Sequence, residues 1–403
     1  MIKVLYFART SRNDVWEYDF IEKEILAGIQ FTPYYLSLDQ IREIDCNFDV
    51  VVYSCRDPSQ YYWGYMPTYD DILECVKKVN PKIVIQLSDE YEHEDLDIHN
   101  DLCKYCDLML RQYWHSDKRS LQFGTKVPTY ENLVHIPLGY INDFSIERKN
   151  IRTICKRKYT WSFVGKIKDD QFCYYDTSEQ QWKSTSNRKE MIDTFSSKIE
   201  NYFFKQDGVS KSELADVTNN SIFVLCGRGN TSLNCFRNYE STLCGAIPVV
   251  VYRYDWECNN SFKFNKKPPW LYASSWEEAS EKCTQLLKTP EILQYMQDQN
   301  FKWWDDEISY IRNRVSKVLN IENFKMQAVI YSNGNQECER AKILLEKLNF
   351  EIQVYKLNQH FSQKGFIAEF GTEAEYPQVN VGFRHVGGLK ETLQYMSDKG
   401  MFV

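Results

Sequence analysis

The sequence predicts an α/β protein of two parallel-sheet domains followed by a smaller third α/β domain. Three observations carry that expectation. Residues 1–145 alternate short apolar, β-branched runs with amphipathic segments, the pattern of a parallel sheet covered by helices on both faces. Residues 221–252, SIFVLCGRGNTSLNCFRNYESTLCGAIPVVVY, read as strand, Gly-rich turn, helix and strand, one βαβ unit with a right-handed crossover. Residues 325–403 change order to strand, helix, strand, two short strands and a last helix.

Composition bounds the function. The 403 residues suffice for two or three domains, and 43% hydrophobic with 26% charged residues describes a globular chain. A net charge of −7 argues against nucleic-acid binding through a general positive field. The N-terminus MIKVLYFART lacks the apolar core of a signal peptide, and no stretch reaches the roughly 18 apolar residues of a membrane helix. The 13 cysteines are scattered through apolar segments, as expected of reduced thiols. These features predict a soluble, cytoplasmic protein without a membrane span.

Within residues 1–145, Ile2–Ala8, Phe31–Tyr35, Asp49–Tyr53, Lys82–Leu87, Asp107–Leu110 and Val134–Leu138 are the predicted strands. Trp16–Leu26 and Tyr69–Val79 have helical spacing. No G-x-G-x-x-G follows the first strand, so no dinucleotide site is expected there. Ligands of open α/β sheets bind beyond the carboxyl ends of the strands, which directs attention to Arg9–Arg12 and to the acidic run 88–95. Asp89 leads that run as a candidate general base, with Glu90 and His93 behind it. An acidic run after a strand also serves simply as a solvated helix start. Tyr62 and Trp63, with Tyr61 and Tyr65, form an aromatic cluster that suits either a sugar platform or a packed loop. Cys103 and Cys106 form a lone C-x-x-C without the second pair a zinc site needs, so they read as buried helical cysteines.

Residues 141–158 are polar and read as an interdomain connection. Tyr159–Val164 opens the second domain as a strand ending in Gly165-Lys166, and Arg188 begins a helix after Ser184–Asn187 cap signals. Ser210–Val217 is a short capped helix. In the central unit, Gly227, Gly229 and Asn230 permit a tight turn close to a ligand. The helix amides that follow carry partial positive charge, and Arg228 and Arg237 add bidentate donors for a diphosphate. Glu240 shares a helix face with Arg237 and can accept hydrogen bonds from ribose hydroxyls. The same pair on an ordinary helix would be a surface ion pair; its place between a Gly-Arg-Gly turn and G-A-I-P-V-V favours a nucleotide site. Beyond it, Lys263–Trp270 is irregular, Trp276–Leu287 is a helix, Pro290–Gln297 starts another, and Asn300–Leu319 is long and amphipathic.

The string F-V-L-C-G-R-G…C-F-R-N-Y-E-S-T-L-C-G-A-I-P-V-V resembles the donor segment of exostosin-like glycosyltransferases. That resemblance implies a GT-B fold, two Rossmann-like domains facing a cleft: an acceptor domain over 1–145 and a donor domain over 146–322 whose last helix crosses back. It implies a nucleotide sugar, most readily a UDP-sugar, as substrate, with a glycan or protein acceptor. Gly165, Lys166, Arg188, Gly227, Arg228, Gly229, Arg237 and Glu240 would hold the donor. No D-x-D lies beside a suitable strand, so transfer is expected to need no metal and no cofactor. Residues 323–403 resemble a glutaredoxin through Y-S, C-E-R-A-K, Y-P-Q-V and H-V-G-G, with Pro377 expected cis. Asn335 falls where that family has its nucleophilic cysteine, and Cys338 falls on the second position. Without the thiolate no disulfide exchange is expected, which leaves docking to a protein partner or self-association.

Overall fold

The computed structural model describes the chain outside residues 55–66, 88–95, 113–129, 147, 168–172, 177–180, 185–187, 229–232, 253–260, 322–326, 349, 383, 399–400 and 402–403. Two compact units emerge, Met1–Ile146 with Ile151–Asn320, and Glu147–Asn150 with Ile321–Val403.

The larger unit is built on two parallel, Rossmann-like sheets. The first contains β1 (Ile2–Phe7), β2 (Phe31–Leu36), β3 (Val50–Ser54), β4 (Ile83–Leu87), β5 (Leu108–Arg111) and β6 (Leu133–His135) in the order β2-β1-β3-β4-β5-β6. Its central strands are almost wholly buried and mostly apolar because both faces are covered. A short helix α1 (Tyr18–Phe20) continues as a π-helical turn over Ile21–Ile25, where a regular helix was expected from Trp16 to Leu26. Two capping boxes start α2 (Leu38–Glu43) at Ser37 and α3 (Tyr69–Val79) at Thr68. The Cys103-x-x-Cys106 segment closes a 3-10 helix, Leu96–Tyr105, with Cys103 buried beside Met109 rather than on an α-helix.

The second sheet runs β10-β7-β11-β12-β13, from β7 (Tyr159–Val164), β10 (Tyr202–Lys205), β11 (Ser221–Leu225), β12 (Ile247–Val251) and β13 (Leu271–Ala273). Between β7 and β10 lie an antiparallel ribbon, β8 (Cys173–Asp176) with β9 (Gln181–Ser184), and α4 (Arg188–Lys198). The helices α5 (Lys211–Asn219), α6 (Phe236–Leu243) and α7 (Trp276–Leu286) follow in order. The two helices expected over 290–297 and 300–319 are one continuous helix, α8 (Pro290–Val318), because no helix breaker separates them. Its Trp304 packs 6.1 Å from Phe20, and its Arg312 donates to the carbonyl of Lys23 and to the Glu24 carboxylate at 3.2 Å. Arg157 buries its guanidinium among the carbonyls of Arg152, Thr218, Ser221 and Cys244, satisfying backbone groups at the inner ends of three elements. No helix among the described residues is long and apolar enough to cross a membrane.

The smaller unit has one four-stranded sheet, ordered β15-β14-β16-β17 from β14 (Gln327–Ser332), β15 (Glu351–Lys356), β16 (Gln378–Val381) and β17 (Arg384–Gly387). β14 and β15 are parallel, and β16 and β17 are antiparallel to their neighbours. Its helices are α9 (Gln336–Lys347), α10 (Gln363–Phe370) and α11 (Leu389–Asp398); α10 has no counterpart in the sequence reading. Tyr376–Pro377 is cis, as expected. Asn335 caps α9 by accepting the Cys338 amide at 2.9 Å, and the Cys338 thiol is buried against Asn333.

Candidate functional site

At the carboxyl ends of β7 and β11 two turns lie side by side. Val164, Gly165 and Lys166 form the first; Cys226, Gly227 and Arg228 form the second. Gly165 has φ +149°, and a Cβ there would stand 2.9 Å from Arg237 Nη2. The glycine thus lets the Arg237 guanidinium lie against the turn, where Nη2 donates to the Val164 carbonyl at 2.9 Å and Cζ sits 4.6 Å from the Phe163 ring centre. A Cβ on Gly227 would meet Met191 and Arg188, so that glycine serves the packing of α4 against the second turn. Lys166 is exposed and Arg228 is buried.

Arg188, first residue of α4, reaches both turns. Nη1 donates to the Lys166 carbonyl at 2.9 Å, while Nε and Nη2 donate to the Arg228 carbonyl at 3.2 and 3.0 Å. Arg237 is placed differently, since its bond to Val164 is the single hydrogen bond its guanidinium makes among the described residues.

Glu240 lies one turn along α6 and is only 6% exposed. Burial pushes its carboxyl up to about 7, with Arg237 and the Ile141 amide pulling it back. Burial also pushes the Glu307 carboxyl on α8 up to about 7, opposed by the amides of Asn265 and Lys266. Both groups hold a proton in the folded chain at pH values where the unfolded chain has released it. Their contribution to stability is therefore full below about pH 4.5 and is lost as pH rises toward 7. We expect denaturation midpoints of the ligand-free protein to fall over that window, and the Glu240→Gln/Glu307→Gln double variant to flatten the fall. An unchanged slope in the double variant would exclude these two carboxyls as its source.

Of the residues singled out by sequence, Gly165, Lys166, Arg188, Gly227, Arg228, Arg237 and Glu240 fall on these two turns and the helices that flank them. Gly229, Asp89, Glu90, His93, Tyr62 and Trp63 lie outside the described residues. Sequence reasoning missed a second group. Gln86, Arg111 and His135 lie at or next to the carboxyl ends of three adjacent strands and stand in register across the first sheet. Arg111 is 1% exposed and bonds Asn100, while Tyr53 Oη and His99 Nδ1 are 2.9 Å apart beside it. Burial and then Arg111 push His99 down to about 3, and burial, Arg111 and Lys263 hold His135 well below the ordinary histidine range. Both imidazoles are therefore neutral at pH 7. A usable signal existed: each of these strands is otherwise apolar and carries one long polar side chain at or next to its carboxyl end. Among the described residues no group of His, Cys, Asp or Glu is arranged to hold a metal ion.

No family model and no curated protein sequence matches the chain. Solved structures do. Anabaena HepE, in complex with UDP and glucose, is 10% identical with a TM-score of 0.44, over 80% of this chain and 100% of that one. BGT of T4 phage, in complex with UDP and Mn2+, is 11% identical with a TM-score of 0.38, over 80% and 98%. CalG4, the calicheamicin glycosyltransferase, is 9% identical with a TM-score of 0.37, over 80% and 99%. The fold of this chain rests on its own strand order and register, two parallel Rossmann-like sheets in one unit and a small mixed sheet in the other.

Proposed function

We propose that the chain is a glycosyltransferase that moves a sugar from a nucleotide sugar, a UDP-sugar in the first instance, to an acceptor hydroxyl. The observation that carries this reading is the pair of adjacent turns at the carboxyl ends of β7 and β11, flanked by Arg237 and by the buried Glu240 on one helix face. Cationic donors at such a place suit a diphosphate, and a buried carboxylate one helical turn away suits the ribose hydroxyls. Arg237, Arg228 and Lys166 would stabilise the charge that grows on the departing diphosphate, a role that other enzymes give to a metal ion. Transfer is accordingly proposed to be independent of metal and cofactor. The first sheet would receive a glycan or protein acceptor, with Asp89 as leading base ahead of Glu90 and His93, and with Tyr62 and Trp63 against the sugar.

The smaller unit is proposed to be a glutaredoxin-like docking module. Its strand order and the Asn335 cap in place of a nucleophilic cysteine support that role.

Titration calorimetry with UDP, GDP, CDP and ADP, followed by donor hydrolysis with the matching sugars, tests the proposal. One nucleoside diphosphate should bind at micromolar Kd, and its sugar should be released slowly without acceptor. Well-folded protein that binds none of the four would refute the transferase and leave a scaffold built on the same fold.

A further inference from the structure

Two arginines approach the proposed donor site, and they differ in what their N–H groups touch. Arg237 commits one N–H to the Val164 carbonyl, and its Nε and Nη1 make no hydrogen bond among the described residues. Arg188 commits Nε, Nη1 and Nη2 to two backbone carbonyls, one in each turn. Those carbonyls belong to Lys166 and Arg228, the residues whose side chains would meet a diphosphate. Backbone carbonyls at the ends of parallel strands have no further strand to pair with, so a planar fork with several fixed donors is suited to join two of them. The approach is built in locally. A Cβ on Gly227 would stand 3.2 Å from Arg188 Cγ and 3.0 Å from Met191 Sδ, so a bare glycine gives the arginine stem its path. The Arg188 guanidinium then lies 5.9 Å from the Phe163 ring centre, near the same ring that Arg237 covers.

We infer that Arg188 is a positioning residue, which joins the β7 and β11 turns through their carbonyls and so sets the spacing of Lys166 and Arg228, while Arg237 contacts the diphosphate itself. The inference rests on the donor-site reading above and assigns separate tasks to two arginines that the sequence alone leaves equivalent. The physical consequence is specific. A ligating cation contributes its charge to binding, so its loss weakens the salt dependence of affinity. A group that acts by holding two turns contributes pre-organisation, and its loss raises Kd while that dependence persists. Lysine distinguishes the tasks as well, since one ammonium keeps the charge and cannot span two carbonyls with a rigid fork.

Two amides report on the clamp without any nucleotide. The Gly165 amide donates to the Lys205 carbonyl at 3.0 Å, and the Cys226 amide to the Val249 carbonyl at 2.9 Å, one on each turn. The experiment compares wild type, Arg188→Ala, Arg188→Lys and Arg237→Ala by hydrogen exchange and by UDP titration at low and high salt. In Arg188→Ala, exchange at Gly165 and Cys226 should quicken while the middle of β11 and β12 stays protected, and UDP affinity should fall about tenfold with its salt dependence kept. Arg188→Lys should behave like the alanine variant, and it carries the test if the alanine variant does not fold. Arg237→Ala should lose affinity and salt dependence together. Near-wild-type affinity in Arg188→Lys, a salt dependence reduced in Arg188→Ala, or unchanged exchange at both amides would each overturn the inference. Wild-type protein that binds no UDP would refute the donor-site reading instead, and the exchange result would still judge the clamp.

Discussion

Arg237→Ala should abolish useful donor binding while leaving the protein folded. Hydrogen bonds to a charged group contribute about 1.5–3 kcal/mol each, so the loss of two to a diphosphate weakens UDP binding by roughly 100-fold or more. Turnover should fall further, by about 10²–10³ at saturating donor, because the leaving diphosphate carries more charge in the transition state than in the ground state. The structural cost is small, one hydrogen bond to Val164 and one contact with Phe163. The variant should also push the Glu240 carboxyl up further, since Arg237 is the charge that pulls it back. Titration calorimetry with UDP and a hydrolysis assay check both effects. Unchanged UDP affinity in a folded variant would remove Arg237 from the site.

Gly139→Ala should be among the most destabilising single substitutions in the larger unit. Gly139 has φ +71°, and a Cβ there would lie 2.2 Å from Cγ of Phe20. Phe20 has no exposed surface and packs against both Tyr140 and Trp304, so it has nowhere to move. Backbone strain and overpacking together should cost about 3–5 kcal/mol. The effect extends to the site, because the segment after Gly139 presents the Ile141 amide to Glu240. Urea denaturation should show a lowered midpoint, and UDP affinity at temperatures where the variant remains folded should fall as well. A midpoint within error of wild type would mean that Phe20 yields to the added methyl group and would refute the overpacking argument.

Much of the candidate site was legible because it is local. Gly165, Arg228, Arg237 and Glu240 belong to turns and one helix whose pattern is written within a few residues of each of them. The division of labour between Arg188 and Arg237 was not legible, since it depends on which carbonyls each guanidinium meets across strands. The Gln86–Arg111–His135 row escaped for the same reason. Its members are far apart in sequence and become neighbours through strand register. Local pattern alone suggests two helices over 290–297 and 300–319, whereas nothing in the chain interrupts the backbone of the single helix Pro290–Val318.

By itself the sequence determined the alternation of strands and helices, the glycine-bearing turn before Arg237, and the presence of an asparagine rather than a cysteine at position 335. Each of these follows from short-range chemistry: side-chain periodicity, backbone freedom and residue identity. Tertiary structure alone decided which strands adjoin, that Gly227 makes room for α4, and that burial raises Glu240 and Glu307 while lowering His99 and His135. Those properties depend on what surrounds a group in space, and the free energy of a buried charge is set by neighbours distant in the chain.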